Sequence, residues 1–171
     1  MTADLIRAIS AGYTLNPEHY HGVYHWGRVL DNGTQIAKEI GADLEIVQLF
    51  ALFHDSRRIN ENRDPDHGRR GAEFAATLRG ELIHLETDRF EMLHYACSFH
   101  TDGLTDGDPT VQACWDADRL DLGRVYIDLN RKYLCTSVAK RPSVMQWADD
   151  RARDGHVTPE AEMWMRWWGD R

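Results

Sequence analysis

The run Ile46–Asp55, IVQLFALFHD, is almost wholly apolar until its last two residues. Taken with the two residues before it, the spacing predicts a helix from Leu44 to Phe53, with Leu44, Val47 and Ala51 on one face. A helix this apolar belongs in a core. Its end, His54–Asp55, then sets an imidazole and a carboxylate where unpaired polar groups are costly, so both need partners. A lone His-Asp dipeptide is a weak signal and is most often structural. A divalent cation would satisfy both groups at once, since neutral imidazole and carboxylate are ligands for such metals.

On either side of this run the chain is punctuated for helices. Pro17, Pro65, Pro109 and Pro159 follow Asn16, Asp64, Asp108 and Thr158. Each pair reads as an N-cap with proline at the first helical position, where its missing N–H costs nothing. Gly41, Gly80, Gly123 and Gly155 stand where helices should stop. Ser143 with Gln146 fits a capping box opening a helix from Val144 to Arg153. Val29, Ile36 and Ile40 share a face, and β-branched alternation is nearly absent. The expectation is an all-α bundle of seven or eight helices with no sheet. In the last stretch, Ala161–Trp168, the residues Trp164, Trp167 and Trp168 lie largely on one side of a helix. Docking onto the body of the protein is the plain use for them; a homodimer contact is the alternative, because interfaces favour aromatic residues.

The 171 residues fit one domain, 1–171, long enough to bury a core without staples. A metal in such a chain is functional rather than structural. The formal net charge of −8 disfavours broad nucleic-acid binding. Against that background Arg57, Arg58, Arg63, Arg69 and Arg70 crowd into one stretch, among Glu61, Asp64 and Asp66. They make either a small-anion site or a solvated, counter-charged loop. Cys97, Cys114 and Cys135 form no CxxC pair, and Cys97 and Cys114 sit among apolar residues as core fillers. No signal peptide and no run of transmembrane length is visible, so a cytoplasmic location with no membrane partner is expected.

Two further segments carry chemistry. In HYHGVYHWGRVL, His25 alone has the setting H-x-x-R-V, one helical step before the apolar stripe; His19 and His21 read as bystanders. In VQACWDADRLDLG, Asp118 shares a face with Val111, Cys114 and Leu122, whereas Asp116 and Asp121 lie off that line. Asp118 thus reads as inward-facing, either ligating a metal or paired with an arginine such as Arg124.

The order HWGRV, HDSRR, DADRLD resembles the HD-domain superfamily of metal-dependent phosphohydrolases, over roughly His25 to Arg124. The resemblance implies His25, His54, Asp55 and Asp118 as ligands of one divalent ion, with Mn, Fe, Co, Zn, Ni and Mg as candidates. DHGRRGAEFA and LHYACSFH resemble the segments in which some branches carry histidines for a second metal. That points to His67 and His100, as second-metal or phosphate ligands, with His94 a weaker substitute for His100. His84 and His156 have no such setting. Arg58 stands where relatives often have Lys or Arg, and with Arg57 and Arg28 becomes a candidate substrate contact. Asp55 would orient or deprotonate water while Arg58 stabilises developing charge. The implied function is hydrolysis of a nucleotide or other small phosphate ester. The alternatives are an HD-type di-iron oxygenase and a non-catalytic metal- and nucleotide-binding module.

Overall fold

A computed structural model describes residues 2–168. Among them are eight α-helices: α1 (Ala3–Ala11), α2 (Val23–Ile40), α3 (Leu44–Phe53), α4 (His67–Thr77), α5 (Thr87–Phe99), α6 (Pro109–Arg119), α7 (Pro142–Arg153) and α8 (Pro159–Trp168). Two 3₁₀ turns, Leu122–Val125 and Arg131–Tyr133, follow α6. No strand occurs among the described residues, only an isolated bridge between Arg79 and Ile83. The all-α expectation therefore holds. No helix among the described residues is long and apolar enough to cross a membrane.

Helix α3 is apolar except for Glu45 and Gln48, and so apolar a helix is stable only when most of it is enclosed. It is enclosed by α2, α4, α5 and α6, and every residue from Leu49 to Phe53 is buried. Its start is fixed by Asp43, whose carboxylate accepts from the backbone of Glu45 and Ile46 and is clamped by Arg89. One apolar core draws side chains from all eight helices.

Asp108 caps α6 at Pro109, and the Thr158 hydroxyl accepts from Ala161 at the start of α8. Gly41 closes α2 in the left-handed conformation, as read. Helix α8 docks on the body: Trp164 and Trp168 are buried, and Trp168 packs edge-on to Tyr13. Cys97 and Cys114 are buried as core fillers.

Four local readings are corrected. No helix starts at Pro17; Asn16 caps a turn through Glu18, and α2 begins after Gly22. Helix α4 starts at His67 rather than Pro65, because Asp64 is engaged by Ile59 and Arg70. The Ser143–Gln146 box does not form: Arg141 stands at the N-cap and Gln146 reaches forward to Asp150. Gly123 lies inside a 3₁₀ turn, and the left-handed residue that ends the segment is Tyr126.

Candidate metal centre

Each histidine of the centre is oriented by the helix end that carries it. His54 caps the C-terminus of α3, and its Nδ1–H donates to the Phe50 carbonyl one turn back, at 3.1 Å. His100 does the same at the end of α5, donating to Cys97 O at 2.7 Å. His67 opens α4 and donates through Nδ1 to Asp64 O. His25 lies in the first turn of α2, where Nδ1 donates to Asp121 Oδ2 at 2.7 Å. A carbonyl or carboxylate oxygen carries no hydrogen, so these contacts place the proton on Nδ1 in all four rings and leave Nε2 with a lone pair.

Those lone pairs face one another. His25 Nε2 and His54 Nε2 are 3.0 Å apart, and His67 Nε2 and His100 Nε2 are 2.9 Å apart. Two acceptors at this distance repel unless a cation or a second proton lies between them. Burial opposes the second proton: it takes the His54 pKa down to about 3 and lowers that of His100.

Asp55 stands between the two pairs. Its Oδ2 is 3.6 Å from His25 Nε2 and 3.7 Å from His54 Nε2. Its Oδ1 is 2.9 Å from His67 Nε2 and 3.9 Å from His100 Nε2. Asp118 reaches in from α6, its Oδ1 3.4 Å from His25 Nε2 and 3.9 Å from His54 Nε2. Burial works to raise both carboxyls. The imidazoles around Asp55, and the imidazoles with Arg124 around Asp118, outweigh it and hold both well below the usual carboxylate range.

The two sets, His25–His54–Asp55 and Asp55–His67–His100, share one carboxylate and are wholly buried. A shell of ligands about 2.1 Å from an ion has edges of about 3.0 Å if octahedral and about 3.4 Å if tetrahedral. The separations above bracket those values, so the donors fit a metal ion in each set.

Glycine makes the second pair accessible to the first. A Cβ on Gly68 would meet the Cys97 carbonyl oxygen at 2.3 Å, and one on Gly71 would meet the Phe53 carbonyl oxygen at 2.1 Å. Only a chain without Cβ at both positions lets α4 approach α5 and the end of α3 this closely.

The structure brings together six of the candidate residues: His25, His54, Asp55, Asp118, His67 and His100. Arg58 joins them, buried, with Nη1 3.5 Å from Asp55 Oδ1 and against the His67 ring; its remaining nitrogens donate to Asn60 O and Asn62 O.

Arg57 does not join them. It turns the other way, donates to Ile9 O and lies 3.3 Å over the Phe74 ring, because adjacent residues in the tight turn after α3 diverge. Arg28 is not free for substrate either: two of its nitrogens bind Asp121 and the third binds His156 O. Arg69 and Arg70 are paired with Glu73 and Asp64.

Three readings of other residues change. His21 is no bystander: its Nδ1 lies 3.0 Å from Asp55 Oδ2, and Nε2 faces Glu61. Asp121 is fully buried and orients His25. Asp116 is also buried rather than outward-facing, but it serves the fold, accepting from the backbone of Cys135 and Thr136 and from the Thr136 hydroxyl. His94 takes no part in the centre, and His84 and His156 are exposed.

Solvent reaches the centre beside Asp118 and His21, whose side chains are 13% and 12% exposed, against 0% for His25 and His54. Arg124 flanks this opening, 3.8 Å from Asp118. A cavity of about 800 Å³ between α4 and α5 shares no residue with the centre. No family model, curated protein or solved structure matches the chain.

Proposed function

We propose that the protein is a divalent-metal-dependent phosphohydrolase of the HD type, acting on a small phosphate monoester through two ions bridged by Asp55. The observation that carries this reading is the Asp55 carboxylate set between two pairs of imidazoles whose Nε2 lone pairs face one another. Ions held there would supply water of lowered pKa and polarise a phosphoryl oxygen. Four imidazoles and two carboxylates without a thiolate suit Mn, Fe, Co, Ni or Zn better than a metal that demands oxygen ligands.

The chain's own groups do the rest. Both oxygens of Asp55 face imidazoles, so Asp55 would be a ligand common to both sets and not a base. Asp121 holds His25 in its ligating tautomer. Arg124, whose Nη2 has only long contacts, flanks the centre as a guanidinium suited to phosphoryl oxygens, whereas Arg58 is held by Asn60 O and Asn62 O and steadies Asp55. The buried walls exclude bulk water and strengthen these interactions.

The test is phosphate release from a panel of monoesters by protein loaded in turn with each metal, with Asp55→Asn as the control that should lose metal and turnover together. No release with any metal rejects the reading. The same four-histidine, two-carboxylate set favours one alternative, a di-iron oxygenase. Oxygen consumption by iron-loaded protein without phosphate release would select it.

A further inference from the structure

We propose that the cleft beside the metal centre on its Arg124 side binds a planar aromatic ring carried by the alcohol half of the phosphate ester. This rests on the phosphohydrolase reading and names its substrate class: a monoester with one aromatic ring system. The cleft has a volume of about 250 Å³, and its walls include His19, Tyr20, Tyr24 and Tyr126 with Arg28 and Arg124.

Arg124 is common to the cleft and to the edge of the centre. Its Nε is fixed by Tyr20 O at 2.8 Å and its Nη1 by Asp121 O at 3.0 Å. Nη2 has only long contacts, 3.5 Å to His21 Nδ1 and 3.8 Å to Asp118 Oδ1. It is therefore the guanidinium nitrogen with capacity left for a phosphoryl oxygen. Of the other charged groups in the cleft wall, Arg28 is saturated by Asp121 and His156 O, Arg153 is paired with Asp149 and Asp128, and Glu18 is an anion, so the rest of the cleft does not favour a second phosphate.

Ring surface is what the cleft offers a ligand. Tyr20 is 41% exposed and Tyr126 79% exposed. Tyr20 lies against His19, with ring centroids 4.4 Å apart, which steadies it. Among the described residues Tyr126 is the only one other than glycine with positive φ, at 61°. A bulky residue rarely adopts this conformation, and such strain collects at ligand clamps. Here the strained turn presents Arg124 and Tyr126 two residues apart, a charge for the phosphate and a face for the ring. Stacking on tyrosine accepts any π-face, so it selects a ring rather than a particular base. The volume lies below that of pockets for drug-sized ligands, which limits the occupant to a single ring system.

Nucleoside monophosphates and aryl phosphates share this chemistry. The experiment uses the full chain loaded with Mn²⁺ and compares adenosine 5′-monophosphate, p-nitrophenyl phosphate and ribose 5-phosphate in steady-state turnover and by calorimetry. KM for adenosine 5′-monophosphate should be about tenfold or more below that for ribose 5-phosphate, and Tyr20→Ala should bring the ratio toward one. Tyr126→Gly should do likewise while folding at least as stably, because glycine relieves the positive φ. The aryl ester separates the sources: tight binding means that any aromatic ring suffices, and weak binding means that the nucleoside is required. Equal KM values for the ringed nucleotide and the ribose ester, unmoved by the tyrosine variants, overturn the cleft and leave the hydrolase reading standing. No turnover with Mn²⁺ or with any of the other candidate metals, but nucleotide binding that Tyr126→Gly weakens about tenfold, keeps the cleft and rejects the hydrolase. Equal weak binding without turnover overturns both.

Discussion

Replacing Gly68 with alanine should remove one metal ion and leave the other. The added Cβ would lie 2.3 Å from the Cys97 carbonyl oxygen and 2.9 Å from two atoms of the His100 ring, where ordinary contact begins at 3.4 Å. The closest obstacle is backbone, which cannot swing aside, so α4 and α5 must part by about 1 Å, at an overpacking cost of about 1–3 kcal/mol. His67 is the residue before Gly68, and His100 is tied to Cys97 O, so the strain falls on the second pair. Parting would open its 2.9 Å Nε2–Nε2 separation to about 4 Å. Metal–ligand distances tolerate about 0.2 Å, so the pair could no longer share an ion. His25, His54 and Asp118, on α2, α3 and α6, stay in place. The assay is elemental analysis of metal-loaded, desalted protein together with calorimetry. Wild type should hold two ions per chain, and Gly68→Ala one, with a Tm lowered by roughly 2–4 °C per kcal/mol lost. His100→Ala should also hold one, since it deletes a donor without moving the helices. Two ions per chain in Gly68→Ala, at the wild-type Tm, would refute the claim that this close approach builds the second set.

Two further outcomes follow from the geometry. Asp118→Ala should lose metal from the first set while folding normally by circular dichroism. Asp116→Ala should keep its metal but lose about 3 kcal/mol of stability, for three hydrogen bonds to a buried carboxylate; metal loss confined to Asp116→Ala would reverse these roles. Stability of the metal-stripped protein should fall with pH. Burial depresses the pKa of His54 to about 3 and lowers that of His100, whereas the unfolded histidines titrate near 6.5. Below 6.5 the unfolded chain binds protons that the native rings refuse, so stability falls as pH drops, for His54 down to about 3, by up to about 1.4 kcal/mol per pH unit for each histidine that stays neutral. A Tm that stays constant from pH 7 to pH 5 would contradict the neutral state assigned to these rings.

What could be read from the chain is what neighbours in sequence decide. The limits of α3 follow from its nearly continuous apolar run, and the starts of α6 and α8 from Asp108–Pro109 and Thr158–Pro159, because capping and periodicity act within one or two turns. The same local logic singled out His54 and Asp55 at the end of the apolar run, His25 before its stripe and Asp118 facing inward, while His67 and His100 came only from the resemblance. It failed where local signals conflict, as at Asn16–Pro17, where the Asn side chain closes a turn instead of a helix.

The rest depended on groups far apart in sequence. His21 sits in a polar loop with no periodicity to mark it, and only the docking of that loop against the end of α3 brings it to Asp55. Asp121 lies off the apolar stripe of α6, yet the turn that follows the helix buries it beneath His25 and Arg28. Arg57 and Arg58 are indistinguishable by charge and position. One packs on Phe74 and the other enters the centre because successive side chains in a tight turn point apart. Where capping signals agree, as in α3 and at the starts of α6 and α8, helix limits are set by hydrogen bonds a few residues long, and the sequence alone determined them. Which side chains meet was decided only by tertiary packing, because the facing lone pairs come from helix ends separated by tens of residues and held together by the core.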